Sequence, residues 1–484
     1  MVGTALRHAG SVNADRMVAD RMVHDRWCGG NIAGNGVDDV AVLRREATVS
    51  GKLLLSHPTG NANVRQALLA FYERELLAGF YTTMAWDGDS AWNRLLPAGV
   101  SRELMRRAYP GIPAPLIHAA PVRELCRVLL AKAGMGALVD APGSPLSTSG
   151  VYRHADRWVA RSVPSLPLKA VYAYDGGALE SFRAARRCGV KTIYELPTAH
   201  TGFKAEFFGQ EAALQPEFAQ TFPRALADAE WLRRKDEELE LSDLVIVPSS
   251  YVQSTLPRGV AAERVRIIPY GASSVSDGIS NGVSNGVSGG VADGVADGIA
   301  DGAVTRRIEG GGKLRVLFVG TLSQGKGLSY LLEAVRKVET AVEFTIIGTR
   351  VASCKPLDAA LRRYRWIASV PHNVVLGEMG LHDVLAFPSL SEGFGLVILE
   401  AMSRGMAVIT TQNTGAVGIL RDGVDGFFVP IRSAEALAEK LEVLAGDRDL
   451  LRSMQESARK RAREFTWERY RALLAGAVAE VLAA

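Results

Sequence analysis

Two α/β domains, each a doubly wound parallel sheet, facing one another across a cleft, are what this sequence predicts. Three observations lead there. Short apolar runs alternate with helix-forming stretches in both halves of the chain, a glycine repeat separates those halves, and a strand-to-helix turn in the second half carries two carboxylates. Such alternation places parallel strands in the middle and helices on both faces. With 484 residues, 48% of them hydrophobic and 22% charged, the chain is long enough for two or three cores of ordinary size.

Residues 1–50 contain a local repeat, Ala14 to Trp27, then a Gly/Asn/Asp-rich piece, and no periodicity long enough to pack; a mobile extension is expected there. Domain 51–272 opens with an apolar strand, Lys52 to Ser56, a loop through Gly60 and Asn61, and a helix from Val64 to Leu77, with Asn61 or Asn63 as its N-cap. Ala170–Tyr174, Lys191–Glu195, Leu244–Pro248 and Val265–Pro269 read as further buried strands, whereas 78–149 shows no regular pattern. From Ser276 to Ala303 a tetrad with glycine third recurs seven times. So many glycines raise the cost of ordering above what the valines offset, so 273–312 is expected to be a flexible linker.

Domain 313–464 repeats the alternation. Strands are predicted at Leu314–Gly320, Glu343–Gly348, Val374–Gly377, Asp383–Pro388, Ala407–Thr411 and Gly426–Pro430, with a helix at Leu328–Val338. A last helix, 465–484, closes the chain. G-x-G-x-x-G follows none of these strands.

The net charge of +4 and the absence of a dense Lys/Arg run argue against nucleic acid, while a weakly basic surface is compatible with peripheral contact with an anionic membrane. Cys28, Cys126, Cys188 and Cys354 are scattered without C-x-x-C spacing, against a zinc site or disulfide framework. No apolar stretch reaches eighteen residues and no signal core stands at the start, so a cytoplasmic location is expected.

Ser389 to Gly405 (SLSEGFGLVILEAMSRG) is the most informative stretch. Its glycines mark a turn between a buried strand and an apolar helix beginning near Leu396. The helix's first N–H groups lack internal partners and carry roughly half a positive charge, so Gly393, Phe394, Gly395 and Leu396 form a cradle for phosphate. Glu392 precedes the helix and Glu400 lies inside it, two acceptor-only groups suited to sugar and ribose hydroxyls. Glu378, Asp383, Asp422 and Asp425 read as turn and surface acids.

With Pro388-Ser389 before it and Ala401-Met402-Ser403-Arg404-Gly405 after it, the Glu392-x7-Glu400 spacing resembles the signature of family 4 retaining glycosyltransferases of GT-B fold. The likeness covers nearly everything from Gly51 on, apart from the glycine repeat. It implies transfer of a sugar from a nucleotide diphosphate sugar to a hydroxyl acceptor, with neither metal nor other cofactor. It further implies that Glu392 sits beside the donor sugar, Glu400 binds ribose, and Lys326, after the strand ending at Gly320, meets the diphosphate. His200 resembles the first-domain histidine near the reacting sugar, and Gly60 and Asn61 the loop facing the diphosphate. The final helix is expected to pack back on the first domain.

Three departures stand beside the match. Thr321 and Gly325 occupy positions where relatives carry arginine, 377–388 looks too short for a crossover helix, and Gly418 replaces an acid. They support, as alternatives, a degenerate sugar-nucleotide-binding subunit, and the shared architecture admits a nucleotide-sugar epimerase.

Overall fold

The computed structural model describes residues 51–88, 104–139, 141, 143–223, 228–272 and 312–483. The extension at 1–50 and the repeat within 273–311 lie outside the described residues. Two parallel sheets form the frame, and each switches direction at its first strand.

In the first lobe the strands are β1 (Lys52–Ser56), β2 (Leu77–Thr82), β3 (Ile117–Ala119), β4 (Leu168–Tyr174), β5 (Lys191–Glu195), β6 (Leu244–Val247) and β7 (Val265–Ile267), in spatial order β3-β2-β1-β4-β5-β6-β7. Its helices are α1 (Ala62–Glu73), α2 (Val122–Lys132), α3 (Gly136–Val139), α4 (Thr148–Ser162), α5 (Leu179–Arg187), α6 (Thr201–Leu214), α7 (Ala229–Glu240) and α8 (Ser250–Ser254). The second lobe holds β8 (Leu314–Val319), β9 (Val342–Ile347), β10 (Arg365–Ile367), β11 (Val384–Phe387), β12 (Ala407–Thr411) and β13 (Gly426–Val429), ordered β10-β9-β8-β11-β12-β13. Around it lie α9 (Leu328–Lys337), α10 (Lys355–Arg363), α11 (His372–Gly380), α12 (Leu396–Ser403), α13 (Ala434–Gly446) and α14 (Arg448–Ala462), and α15 (Trp467–Ala483) ends the chain.

Leu53, Leu54 and Leu55 are wholly buried, as are Val384, Leu385 and Ala386. Continuous apolar runs are what a parallel strand covered on both faces requires. The order of strands puts a switch point between β1 and β4 and another between β8 and β11, where loops leave the sheet in opposite directions and open a crevice. One apolar cluster runs through both lobes. The Ala272 N–H donates to Phe465 O at 3.1 Å, and α15 packs on α1, with Arg471 donating to Gln66 at 2.7 Å. No helix among the described residues is long and apolar enough to cross a membrane.

Three sequence expectations are corrected. The helix predicted through Leu77 ends at Glu73, and Leu77 begins β2. Glu75 takes the left-handed conformation (φ 58°) and the Leu76 N–H reaches back to Phe71 O at 2.8 Å, a helix-ending turn that the apolar pattern runs straight across. Val374–Gly377 is not a strand but the middle of α11, and the strand is the unremarked β10 before it. Short apolar runs do not distinguish the two states. With α11 between β10 and β11, the crossover helix that seemed missing from 377–388 is present. The described residues of 78–149 likewise hold regular elements: most of β2, all of β3, the helices α2 and α3 and the start of α4.

The acids read as surface groups also divide differently. Asp383 is buried and accepts from Arg315 at 2.9 Å, Asp425 is buried against Arg421 at 2.8 Å, and Glu378 is clasped by Arg365 at 2.8 and 2.7 Å. Each ties a strand or turn of the second sheet to a neighbouring segment. Asp422 remains exposed.

Candidate active site between the lobes

At the second switch point the loops after β8 and β11 are sewn together. Leu390 N–H and Ser389 Oγ both donate to Gly325 O, at 2.9 and 3.1 Å. The loop after β11 then turns through Gly395, whose left-handed backbone (φ 74°) favours glycine. No side chain caps α12; Ile398 N–H donates to Gly395 O at 2.8 Å, and among the described residues the N–H groups of Leu396 and Val397 stay open. Lys326 Nζ contacts the Glu392 carboxylate and stands 5.2 Å from the centre of the Phe387 ring. Both side chains keep about a fifth of their surface exposed, 22% and 19%, so the pair is reachable from the crevice. Gly320 ends β8 beside them, its N–H on Ile347 O at 3.0 Å.

Gly393 serves a purpose other than the one expected. A Cβ there would stand 2.0 Å from Pro197 O and 2.8 Å from Thr198 Cα, so the missing side chain admits first-lobe backbone. Ser249 Oγ donates to Gly393 O at 2.6 Å, Tyr251 and Ser391 hydroxyls lie 2.8 Å apart, and Phe394 is buried against the Tyr270 ring at 5.2 Å. The carboxyl edges of the two sheets therefore meet at this turn.

Glu400 lies one turn inside α12, where burial pushes its carboxyl above the usual range and His372 Nε2, 3.4 Å away, opposes the shift. His372 opens α11 and was not foreseen, because α11 itself was not. Among the described residues His200 makes no hydrogen bond or ion pair with Lys326 or Glu392. Its buried imidazole faces a cavity of about 560 Å³ lined by first-lobe residues, among them Phe203, Asp236 and Thr255. Asp236 Oδ1 is 3.1 Å from Nε2 without hydrogen-bonding geometry, and burial lowers the imidazole's pKa against the raising effect of Asp236. Gly60 and Asn61 are likewise engaged within the first lobe: a Cβ on Gly60 would meet Tyr109 Oη at 2.4 Å, and Asn61 Oδ1 caps α1 through Val64 N–H at 2.9 Å.

Helix capping separates the two switch points. In the first lobe the turn entering α5 is filled by the protein's own carboxylates: Glu238 accepts from Gly176, Ala178 and Leu179 N–H at 2.7 to 3.2 Å, and Asp156 from Glu180 and Ser181 at 2.7 and 2.9 Å. An incoming phosphate finds no free donor there, while α12 offers its own.

His57, at the end of β1, gives the fold a measurable acid sensitivity. Thr59 N–H donates to its Nδ1 at 3.0 Å, and complete burial depresses its pKa to about 3. Between pH 6.5 and 3 the unfolded chain binds a proton that the fold excludes, so stability rises with pH across this window. It is expected to fall on acidification by about 1.4 kcal/mol per pH unit. Urea unfolding of His57→Gln against the parent protein from pH 6.5 to 4 checks this, the variant showing the shallower slope.

Residues 306–461 match the family model described as glycosyl transferases group 1. Among curated proteins, the chain is 30% identical over 169 residues to D-inositol 3-phosphate glycosyltransferase of Corynebacterium urealyticum, covering 31% of this chain and 39% of that protein. It is 29% identical over 154 residues to the capsular polysaccharide biosynthesis glycosyltransferase CapM of Staphylococcus aureus, covering 30% and 40%. The chain thus spans less than half the length of these curated relatives. Solved structures align over most of it. Sucrose-phosphate synthase from Thermosynechococcus elongatus superposes with a TM-score of 0.55 at 17% identity, covering 89% of this chain and 98% of that one. HepE of Anabaena, solved in complex with UDP, gives 0.54 at 17%, covering 89% and 100%. The fold is therefore of the GT-B type, and its second lobe matches the group 1 glycosyl transferases.

Proposed function

We propose that the protein is a retaining glycosyltransferase of family 4, a hexosyltransferase moving a sugar from a nucleotide diphosphate sugar to a hydroxyl acceptor in the cytoplasm. The observation that carries this reading is the Lys326–Glu392 pair beside the uncapped start of α12, at a switch point where both carboxyl edges converge. In this reading the diphosphate lies on the leading N–H groups of α12 and on Lys326, with no metal required. Glu392 orients donor hydroxyls, Glu400 binds ribose, and His200 serves the acceptor side from its first-lobe cavity. The bond from the anomeric carbon to the diphosphate oxygen breaks with its electron pair on the leaving group. The acceptor oxygen attacks the same face, and its proton passes to the departing oxygen. Lys326 opposes the charge that grows there.

The HepE complexes with UDP and UDP-glucose support a nucleotide-sugar donor, and the family match favours transfer over epimerisation. A second reading, a binding subunit without turnover, is favoured by one observation: Thr321 and Gly325 leave the loop with one cation. Thermal shift over a panel of nucleotide sugars tests the first part, since ligand at 100 times its dissociation constant stabilises by about 2.7 kcal/mol. Released nucleoside diphosphate in the presence of an acceptor mixture supports transfer, binding without release supports the second reading, and no shift with any donor removes both.

A further inference from the structure

One face of α6 is turned toward the second lobe's phosphate loops. Glu211 accepts from Gln324 at 2.8 Å, and the Phe208 ring fills the space beside Gly325, where a Cβ would lie 3.2 Å from Cζ. Lys204 is four residues before Phe208 and seven before Glu211, so it lies on that same face. Its Nζ donates to Thr198 Oγ1 at 2.9 Å, and Thr198 is the residue whose Cα abuts Gly393. The ammonium is thus one threonine side chain from the turn that leads into α12.

Lys204 forms no ion pair among the described residues. The nearby Asp175 is committed to Lys235 at 2.6 Å and to the Tyr194 hydroxyl at 2.7 Å. A half-buried ammonium with one hydrogen bond has two N–H groups to spare, and desolvating a charge without a counter-ion is costly. Burial lowers its pKa, the ammoniums of Lys235 and Lys326 add to that shift, and Asp175 and Glu392 oppose it. A charge kept under such conditions suits an anion that arrives later.

We propose that Lys204 is a donor-binding residue: it contacts the diphosphate from the first lobe, supplying the second cation that the Thr321–Gly325 loop lacks. This rests on the donor reading above and adds to it a first-lobe contact with the phosphates. Phe208 occupies the space a longer side chain at position 325 would need, and the cation comes instead from one turn earlier on the same helix. The diphosphate then draws the lobes together, because its counter-charges belong to both.

The test is isothermal titration of the full chain with inorganic pyrophosphate, with UDP, ADP and GDP, and with the corresponding nucleosides. Lys204→Met is expected to weaken pyrophosphate and the preferred nucleoside diphosphate about 10- to 100-fold, the range of a hydrogen bond to a charged group, with nucleoside binding and the ligand-free Tm unchanged. Lys204→Arg should recover part of the loss, and Lys204→Gln provides a second neutral variant if the methionine form does not fold. Equal loss of nucleoside and diphosphate binding, or none, overturns the assignment. Pyrophosphate binding that depends on Lys204 without any nucleoside diphosphate binding keeps the phosphate contact of Lys204 but removes the donor reading and with it the donor-binding role; absence of both overturns both.

Discussion

Lys326→Ala is expected to lower the rate of sugar transfer about 100- to 1000-fold in a protein that still folds. The side chain is held over Phe387 and against Glu392, at the edge of the crevice rather than in a core, so truncation opens no cavity. In the proposed reaction, what disappears is a fixed positive charge beside the leaving diphosphate, and removing one such preorganised group costs about this much elsewhere. The change also strips Glu392 of its partner, leaving a partly desolvated carboxylate that repels the same diphosphate. Lys326→Arg keeps the charge but not its position beside Glu392, so partial recovery is expected. Steady-state kcat and kcat/KM for the donor, with circular dichroism as the control for folding, decide the matter. A folded alanine variant with parental kcat removes Lys326 from the reaction.

Glu211→Ala is expected to destabilise the protein by about 3–5 kcal/mol, the cost of breaking a buried ion pair from one side. Glu211 is fully buried in α6, yet its partners all belong to the second lobe: Gln324 at 2.8 Å, Tyr330 hydroxyl at 2.9 Å and Arg432 Nε at 2.7 Å. Arg432 is further committed, with a left-handed backbone (φ 62°) and its guanidinium 4.8 Å from the centre of the Phe207 ring. Truncation takes the acceptor from that guanidinium and from one N–H of the Gln324 amide, whose other N–H stays on Ser329 Oγ at 2.7 Å, whereas Glu211→Gln retains an oxygen and should cost less. Urea unfolding measures the loss, and a double-mutant cycle with Arg432→Ala isolates the pair. A change below about 1 kcal/mol would show that the contact does not hold the lobes together. Because the contact crosses the lobe boundary, small-angle scattering should also report a larger radius of gyration for the alanine variant.

Much of the fold was legible from pattern alone, and the misses have local causes. Lys191–Glu195 and Ala407–Thr411 read with their observed bounds because β-branched and aromatic residues fill their middles, Thr-Ile-Tyr in one and Val-Ile-Thr in the other, and these favour strand. Leu77 was lost to a helix because the left-handed turn at Glu75 leaves no glycine to announce it. Val374–Gly377 reads as a strand because three apolar residues and a glycine fit either state, whereas the structure places them in the helix that starts after Pro371 and is clasped through Glu378 by Arg365. At the site, the residue types were readable, but their neighbours were not. Lys204 and Glu211 share one face of α6 with Phe208, a spacing visible in the chain. What that face meets is more than a hundred residues away.

By itself the sequence determined the two α/β halves and the position of the glycine turn before α12. These depend on periodicity, chain direction and backbone freedom, all of which act over a few residues. Only the tertiary structure decided that Gly393 admits Pro197–Thr198, that His200 looks into a first-lobe cavity, and that α5's open end is filled by Glu238 and Asp156 while α12's stays free. Each of those outcomes depends on how segments distant in the chain pack in space, and burial and electrostatics are set by that packing and not by sequence neighbours.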